Sequence, residues 1–174
     1  MANTKEDCDT KQDLRELFCS LPTVPERELD PNIDPFRLEA IRVIAEQWAN
    51  GTLLHYYFFN QAADGGWVGA ENQQQAVRDA FQHWKDLDIG LVFEEVDRRQ
   101  EAEVRIGFLL GGGSWSYVGR DVIDLVPDPN KRTMNFGWNL ATPFGRDTAL
   151  HEIGHTLGLK HEHQNPNSGI VWDE

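Results

Sequence analysis

The chain has 174 residues, 40% of them apolar, and a formal net charge of −13. That is enough for one domain with a real core, and too apolar for a disordered chain. The acidity is spread, with 11 acids and 6 bases in the first fifty residues against 18 and 10 in the rest. It argues against a phosphate-tracking surface, so nucleic acid is not an expected partner. No apolar run approaches a membrane span, so no membrane partner is expected either.

Residues 1–34 read as an extension, poor in apolar residues and punctuated by Pro22, Pro25 and Pro31. The first seven residues are polar and acidic and lack the basic start and apolar stretch of a secretory signal. A short helix is expected over about 9–18. A second starts near Pro35, with Phe36, Leu38, Ile41, Ile44, Ala45 and Trp48 mostly at three-to-four spacing, and stops at Asn50-Gly51. Both cysteines, Cys8 and Cys19, fall in the extension. They can pair with each other, stay as free thiols in a reducing compartment, or offer a thiolate to a metal.

Beyond residue 50 the pattern changes. A buried strand is expected over 52–59, then a loop over 60–69 with the turn residues Asp64-Gly65-Gly66. Ala76, Val77, Ala80, Phe81 and Trp84 mark the inner face of a helix over 71–87. Strands follow over 90–96 and 102–109, the crossover being long enough for parallel pairing. Gly111-Gly112-Gly113 opens a loop without the lysine or helix of a phosphate loop. An edge strand is expected over 114–119, a turn over 126–132 and a last strand over 133–138. Pro143-Phe144-Gly145 reads as a further turn, with Asp147 or Thr148 capping a final helix.

That helix carries the chemistry. His151 and His155 are four apart, so they share a helical face about 6 Å apart along the axis and can meet one zinc ion. Glu152 stands beside them as a general base for a water that the metal activates. Gly158 can adopt positive φ, stop the helix and turn the chain back, which brings His161 in as third ligand. Three histidines leave a fourth position open, as catalytic rather than structural zinc sites do.

The stretch His151-Glu152-Ile153-Gly154-His155-Thr156-Leu157-Gly158-Leu159-Lys160-His161 is similar to the H-E-x-x-H-x-x-G-x-x-H motif of the metzincin peptidases. Its continuation into Glu162 resembles the astacin-type branch, as does Ser114-Trp115-Ser116-Tyr117-Val118-Gly119. Thr133-Met134-Asn135-Phe136-Gly137-Trp138, a strand just before the helix, adds to the likeness, and the whole resembles astacin- and matrixin-like zinc peptidases. The resemblance covers about 51–174. It implies an α+β fold: an upper subdomain with a twisted, mostly parallel five-stranded sheet, a backing helix and an active-site helix. It also implies a peptide or protein substrate laid along an edge strand, with Ser116, Tyr117 and Val118 as candidate contacts, and an extracellular location. The expectation is a monomer with one Zn²⁺, hydrolysing peptide bonds with Glu152 as base. Residues 1–50 would be a pro-segment-like extension and 51–174 the catalytic domain.

The chain departs from the family pattern after His161. The thirteen residues that follow contain no methionine and no tyrosine, so the methionine turn of the lower subdomain is missing. The expectation is a fragment whose lower subdomain is incomplete. The alternative is a non-catalytic domain that binds zinc and peptide. Glu162 could support the site, and His163 is read as a loop residue. His55 and His83 are read as packing or surface residues. Cys8 or Cys19 could act as a zymogen thiolate, although the matrixin proregion signature is absent; an aspartate of the extension is an equal alternative. Asp64, Asp121, Asp124 and Asp128 could help bind calcium, but their spacing matches no recognised calcium loop.

Overall fold

A computed structural model describes residues 19–25, 34, 37 and 45–161. The expected helix over 9–18, most of the one over 35–49, Cys8, Glu162 and His163 lie outside the described residues.

Alternation along one strand organises the rest. In β1 (Leu53–Phe58) successive side chains point to opposite faces. Tyr56 and Phe58 enter the larger core, whereas Tyr57, with Phe59 just beyond the strand, enters a smaller cluster with Ala102, Trp67 and Val96. A strand apolar on both faces belongs inside a sheet covered on both sides. Accordingly β1 pairs in parallel with both β2 (Val92–Glu95) and β3 (Val104–Gly107). Next to β3 lies the parallel β5 (Met134–Asn135), and β4 (Trp115–Ser116) closes the edge antiparallel to it. The order is β2-β1-β3-β5-β4, the expected five-stranded, mostly parallel sheet.

Both β4 and β5 are shorter than their sequence pattern. Side chains take over the bonding where the ladder stops. Asn135 Oδ1 accepts from the Leu109 N–H at 2.9 Å, Asn135 Nδ2 donates to the Gly113 carbonyl at 2.6 Å, and Ser114 Oγ accepts from the Gly137 N–H at 3.0 Å.

Helix α1 (Glu71–Asp86) covers one face through Ala76, Val77, Ala80 and Phe81, and Phe81 stacks on Tyr56 at 4.3 Å. The opposite face is covered by a 3-10 turn, Ala62–Trp67, in the segment expected as loop. Asp64 stabilises it by accepting from the Gln61 N–H at 2.9 Å, and its Trp67 meets Phe59 edge-on at 5.1 Å. A one-turn helix, α2 (Asp121–Asp124), is likewise an addition to the expected elements.

The active-site helix, α3, spans Pro143–Thr156 and so starts a turn earlier than expected. Its cap is Thr142, whose Oγ1 accepts from the Gly145 N–H at 3.0 Å, not Asp147 or Thr148. Proline at the first helical position needs no N–H partner and has the right φ, so Pro143-Phe144-Gly145 begins the helix. Ala149 and Ile153 are fully buried in the larger core. Each side chain of Ile153's size is worth about 1.5–3 kcal/mol on burial. Trp84 of α1 ties the two helices together by donating to the Leu150 carbonyl at 3.0 Å. Among the described residues no helix is long and apolar enough to cross a membrane.

Candidate metal centre and the adjoining cavity

The end of α3 is a Schellman turn. The Gly158 N–H donates to the His155 carbonyl at 2.8 Å and the Leu159 N–H to the Gly154 carbonyl at 3.0 Å. Gly158 has φ +101, a conformation that favours glycine. The chain reverses there and brings His161 back over the helix, as the sequence pattern requires.

Three imidazoles converge as a result. Nε2 of His155 lies 3.1 Å from Nε2 of both His151 and His161, which are 3.0 Å from each other. Three nitrogens so close lie within reach of a single ion at about 2.0–2.1 Å from each. His155 Nδ1 donates to the Leu159 carbonyl at 2.6 Å. With its one neutral-ring proton there, Nε2 presents a lone pair to the centre. Burial lowers the pKa of His151, and lowers that of His155 to about 4. Both rings therefore favour the neutral, metal-binding form.

Glu152 is fully buried beside this triangle. Burial raises its pKa to about 7, and its Oε1 has no hydrogen-bond partner among the described residues. Such an orphaned buried carboxylate oxygen is costly unless something else uses it.

Cys19, one of the two cysteines considered as a metal-blocking thiolate, lies at this triangle. Its Sγ lies 3.4 Å from His155 Nε2 and 3.6 Å from Glu152 Oε2. The donor atoms of Cys19, His151, His155 and His161 all fall within 4.8 Å of one another. Three imidazoles and a thiol form a donor set suited to zinc. Burial, and then the Glu152 carboxylate, push the thiol above its ordinary pKa. A parallel β-bridge between Cys19 and Ser114, with the Ser20 N–H donating to the Ser114 carbonyl at 3.3 Å, holds the segment against the sheet edge.

The residues expected to touch substrate have partners within the chain. Ser116 is fully buried, and its Oγ lies 2.9 Å from Thr156 Oγ1 at the end of α3. Val118 is buried, and the Tyr117 N–H already donates to the Thr133 carbonyl at 3.1 Å. The Gly119 N–H donates to the His155 carbonyl at 2.8 Å, and a Cβ on Gly119 would come 1.8 Å from the Glu46 carbonyl oxygen. The segment therefore bonds to the C-terminal end of the ligand helix. Two residues of the expected extension join it: Trp48 donates to the Thr156 carbonyl at 2.8 Å, and Glu46 pairs with Lys160 at 2.7 Å. Of the candidate calcium residues, Asp64 pairs with Arg99 at 3.1 Å and Asp128 caps its own turn by accepting from the Asn130 N–H at 2.9 Å.

A cavity of about 230 Å³ opens beside Glu152, lined by Cys19, Trp138, Phe144, Asp147, Thr148 and His151. Sequence reasoning did not single out these wall residues. Helical spacing was the available signal, because Phe144, Asp147 and Thr148 lie three to seven residues before His151, on its side of the helix.

A mostly parallel sheet, a backing helix, and a helix whose two histidines meet a third after a glycine turn define the upper subdomain of a metzincin-type metallopeptidase. The model of the Astacin peptidase family matches residues 40–169, and the chain belongs to that family. It is 30% identical to a serralysin of Photorhabdus luminescens over 102 residues, covering 52% of this chain and 20% of that protein. It is also 30% identical to protein SpAN of Strongylocentrotus purpuratus, covering 56% of this chain and 15% of that protein. Among solved structures, myroilysin superposes with a TM-score of 0.64 at 30% identity, covering 75% of this chain and 59% of that one. The chain thus spans about a fifth or less of the length of these two sequence relatives.

Proposed function

We propose that the protein is a zinc-dependent endopeptidase with His151, His155 and His161 as metal ligands and Glu152 as general base. The observation that carries this reading is the convergence of three imidazole Nε2 atoms beside a fully buried glutamate with an unpartnered oxygen. Zinc bound there would supply Lewis acidity and a water acidic enough to attack at neutral pH. The chain's own residues do the rest. His155, fixed by the Leu159 carbonyl, and His151 orient the centre. Glu152 takes a proton from the attacking water and passes it to the departing amine. The C–O bond forms from water as the peptide C–N bond breaks.

A second reading, a chain that holds zinc and peptide without turnover, has one specific observation in its favour. Cys19 Sγ lies 3.4 Å from His155 Nε2, and its donor atom falls within 4.8 Å of all three histidine nitrogens. A thiolate bound to zinc there would fill the position left for water, since three nitrogens and one sulfur can make up a complete tetrahedral set. The two readings join if this segment is a removable block. Zinc content by elemental analysis and cleavage of a peptide mixture test them together, using wild type, Cys19→Ala and Glu152→Ala. The peptidase reading expects one zinc per chain in all three, turnover in Cys19→Ala, and a loss of about 10²–10⁴-fold when Glu152→Ala is added to it. Turnover unaffected by Glu152→Ala would sink the assignment of the base.

A further inference from the structure

We propose that Arg132, held between the indoles of Trp67 and Trp115, is an anion subsite that selects one acidic side chain of an extended peptide substrate. The proposal rests on the peptidase reading and adds a substrate class to it. The site lies on the sheet face opposite α1 and α3, the face that Trp67 covers. Asn135 of β5 has Trp115 of β4 as its register partner on one side and Gly107 of β3 on the other. Gly107 lets the Arg132 side chain cross, because a Cβ there would collide with Arg132 Cδ. The guanidinium carbon then lies 4.5 Å from the Trp67 ring centroid and 5.5 Å from that of Trp115. Asn135 Oδ1 accepts from Nη1. Nε and Nη2 have no partner among the described residues, and neither is sealed from solvent.

The chemistry of the site calls for a carboxylate. Arg78, Arg99 and Arg105 are also buried or half-buried, and each is satisfied within the chain. Arg78 pairs with Glu71 and Glu95, each at 2.7 Å, and Arg99 with Asp64 at 3.1 Å. Arg105 donates to the carbonyls of Ala102, Val126 and Lys131. Half-buried Arg132 has one amide oxygen and, among the described residues, no carboxylate, in a chain with 29 acids against 16 bases. A guanidinium stays charged and presents paired N–H groups that match a carboxylate. Stacking between two indoles fixes its plane in advance. The β4 edge brings a substrate there. Cys19 bridges Ser114 in parallel and turns its Sγ to within 3.4 Å of His155 Nε2, so an extended chain on this edge passes the metal centre. Successive side chains of such a chain point to opposite faces. The residue beside the one that meets the centre therefore lies alongside Trp115, turned to the face that carries Arg132.

The test uses the full, zinc-loaded chain carrying Cys19→Ala and Ser20→Pro, which remove the thiol and the N–H that occupy the edge. It is given a proteome-derived peptide mixture whose cleavage sites are mapped by mass spectrometry. Asp and Glu are expected about tenfold enriched over Asn and Gln at one position relative to the scissile bond. Arg132→Gln should abolish the enrichment, Arg132→Lys should retain part of it, and Arg132→Glu should replace it with Lys and Arg at the same position. A merely structural role would not make the preference follow the charge in this way. A profile indifferent to charge, or an acid preference unchanged in Arg132→Gln, would overturn the subsite while leaving the peptidase reading intact. Absence of all cleavage would overturn the peptidase reading, and calorimetry then judges the subsite alone. Its probes are short alanine-rich peptides with one Asp scanned along the chain, each with its Asn counterpart, titrated into Glu152→Gln protein with the same edge substitutions. One Asp peptide binding about tenfold tighter than its Asn counterpart, a difference lost on adding Arg132→Gln, supports the subsite. Equal binding of every pair overturns it.

Discussion

The donor atoms at the centre arrive by two routes. His151, His155 and His161 come from one helix and the turn that ends it, and their geometry follows from helical spacing plus one glycine. Cys19 lies 136 residues from His155 and reaches it only because its segment bridges to Ser114 at the sheet edge. The first set needs almost no tertiary information, whereas the second consists of nothing else. On the proposed reading, the difference separates the capacity to bind metal, which would be local, from access to the metal, which would be a property of the whole fold.

Measurements on single variants can test whether the two routes are separate. The largest effect should come from the local set. His155→Ala is expected to reduce bound zinc from one per chain to near zero and to abolish cleavage. Thermal stability should then lose its zinc dependence, a contribution of about 2.7 kcal/mol when free zinc is a hundredfold above Kd. Retention of stoichiometric zinc by that variant would place the ligands elsewhere.

Next comes the long-range contact. In a Cys8→Ser background, the Cys19 thiol should react with a disulfide reagent at least about tenfold faster after zinc is chelated, because a coordinated thiolate is withheld. A cobalt-substituted protein should show a sulfur-to-metal absorption band that Cys19→Ala removes. Equal thiol reactivity with and without metal would show that the thiol merely lies nearby.

A smaller effect is expected at the turn. A Cβ at Gly158 meets nothing closer than 3.5 Å, so Gly158→Ala is limited by its φ of +101 rather than by crowding. The cost is about 1–2 kcal/mol, and since relaxing it moves His161, zinc affinity should weaken as well. Gly158→Ala with unchanged zinc affinity would show that His161 is placed by other contacts, such as the Lys160–Glu46 ion pair. The smallest effect is expected at Ser116→Ala, which leaves the buried Thr156 hydroxyl without its partner for about 1–3 kcal/mol. At roughly 2–4 °C per kcal/mol for a chain of this size, the melting point should fall by several degrees with zinc still bound. A change in substrate preference without loss of stability would return Ser116 to the substrate side.

Much of the fold is legible in the sequence because its strands and helices are strongly patterned. The strand at 52–59 and the helix at 71–87 appear within two residues of expectation, since aromatic alternation and a continuous apolar stripe leave little choice. The start of α3 departs from expectation because Pro143-Phe144-Gly145 has turn composition, and composition does not distinguish a turn from the first turn of a helix. The short reach of β4 and β5 is hidden as well, since the Asn135 and Ser114 side chains replace ladder bonds only once strands from three parts of the chain have met.

At the site the division is sharper. Spacing alone brings together two histidines, a neighbouring glutamate and a third histidine behind a glycine, because a helix has one pitch and Gly158 tolerates the one conformation that reverses it. The tertiary structure decides that Ser116 and Gly119 bond to the ligand helix, that Trp138 and Phe144 wall a cavity beside Glu152, and that Cys19 meets the histidines. Each of these depends on residues distant in the chain being packed into contact. Short-range periodicity carries no record of such contacts.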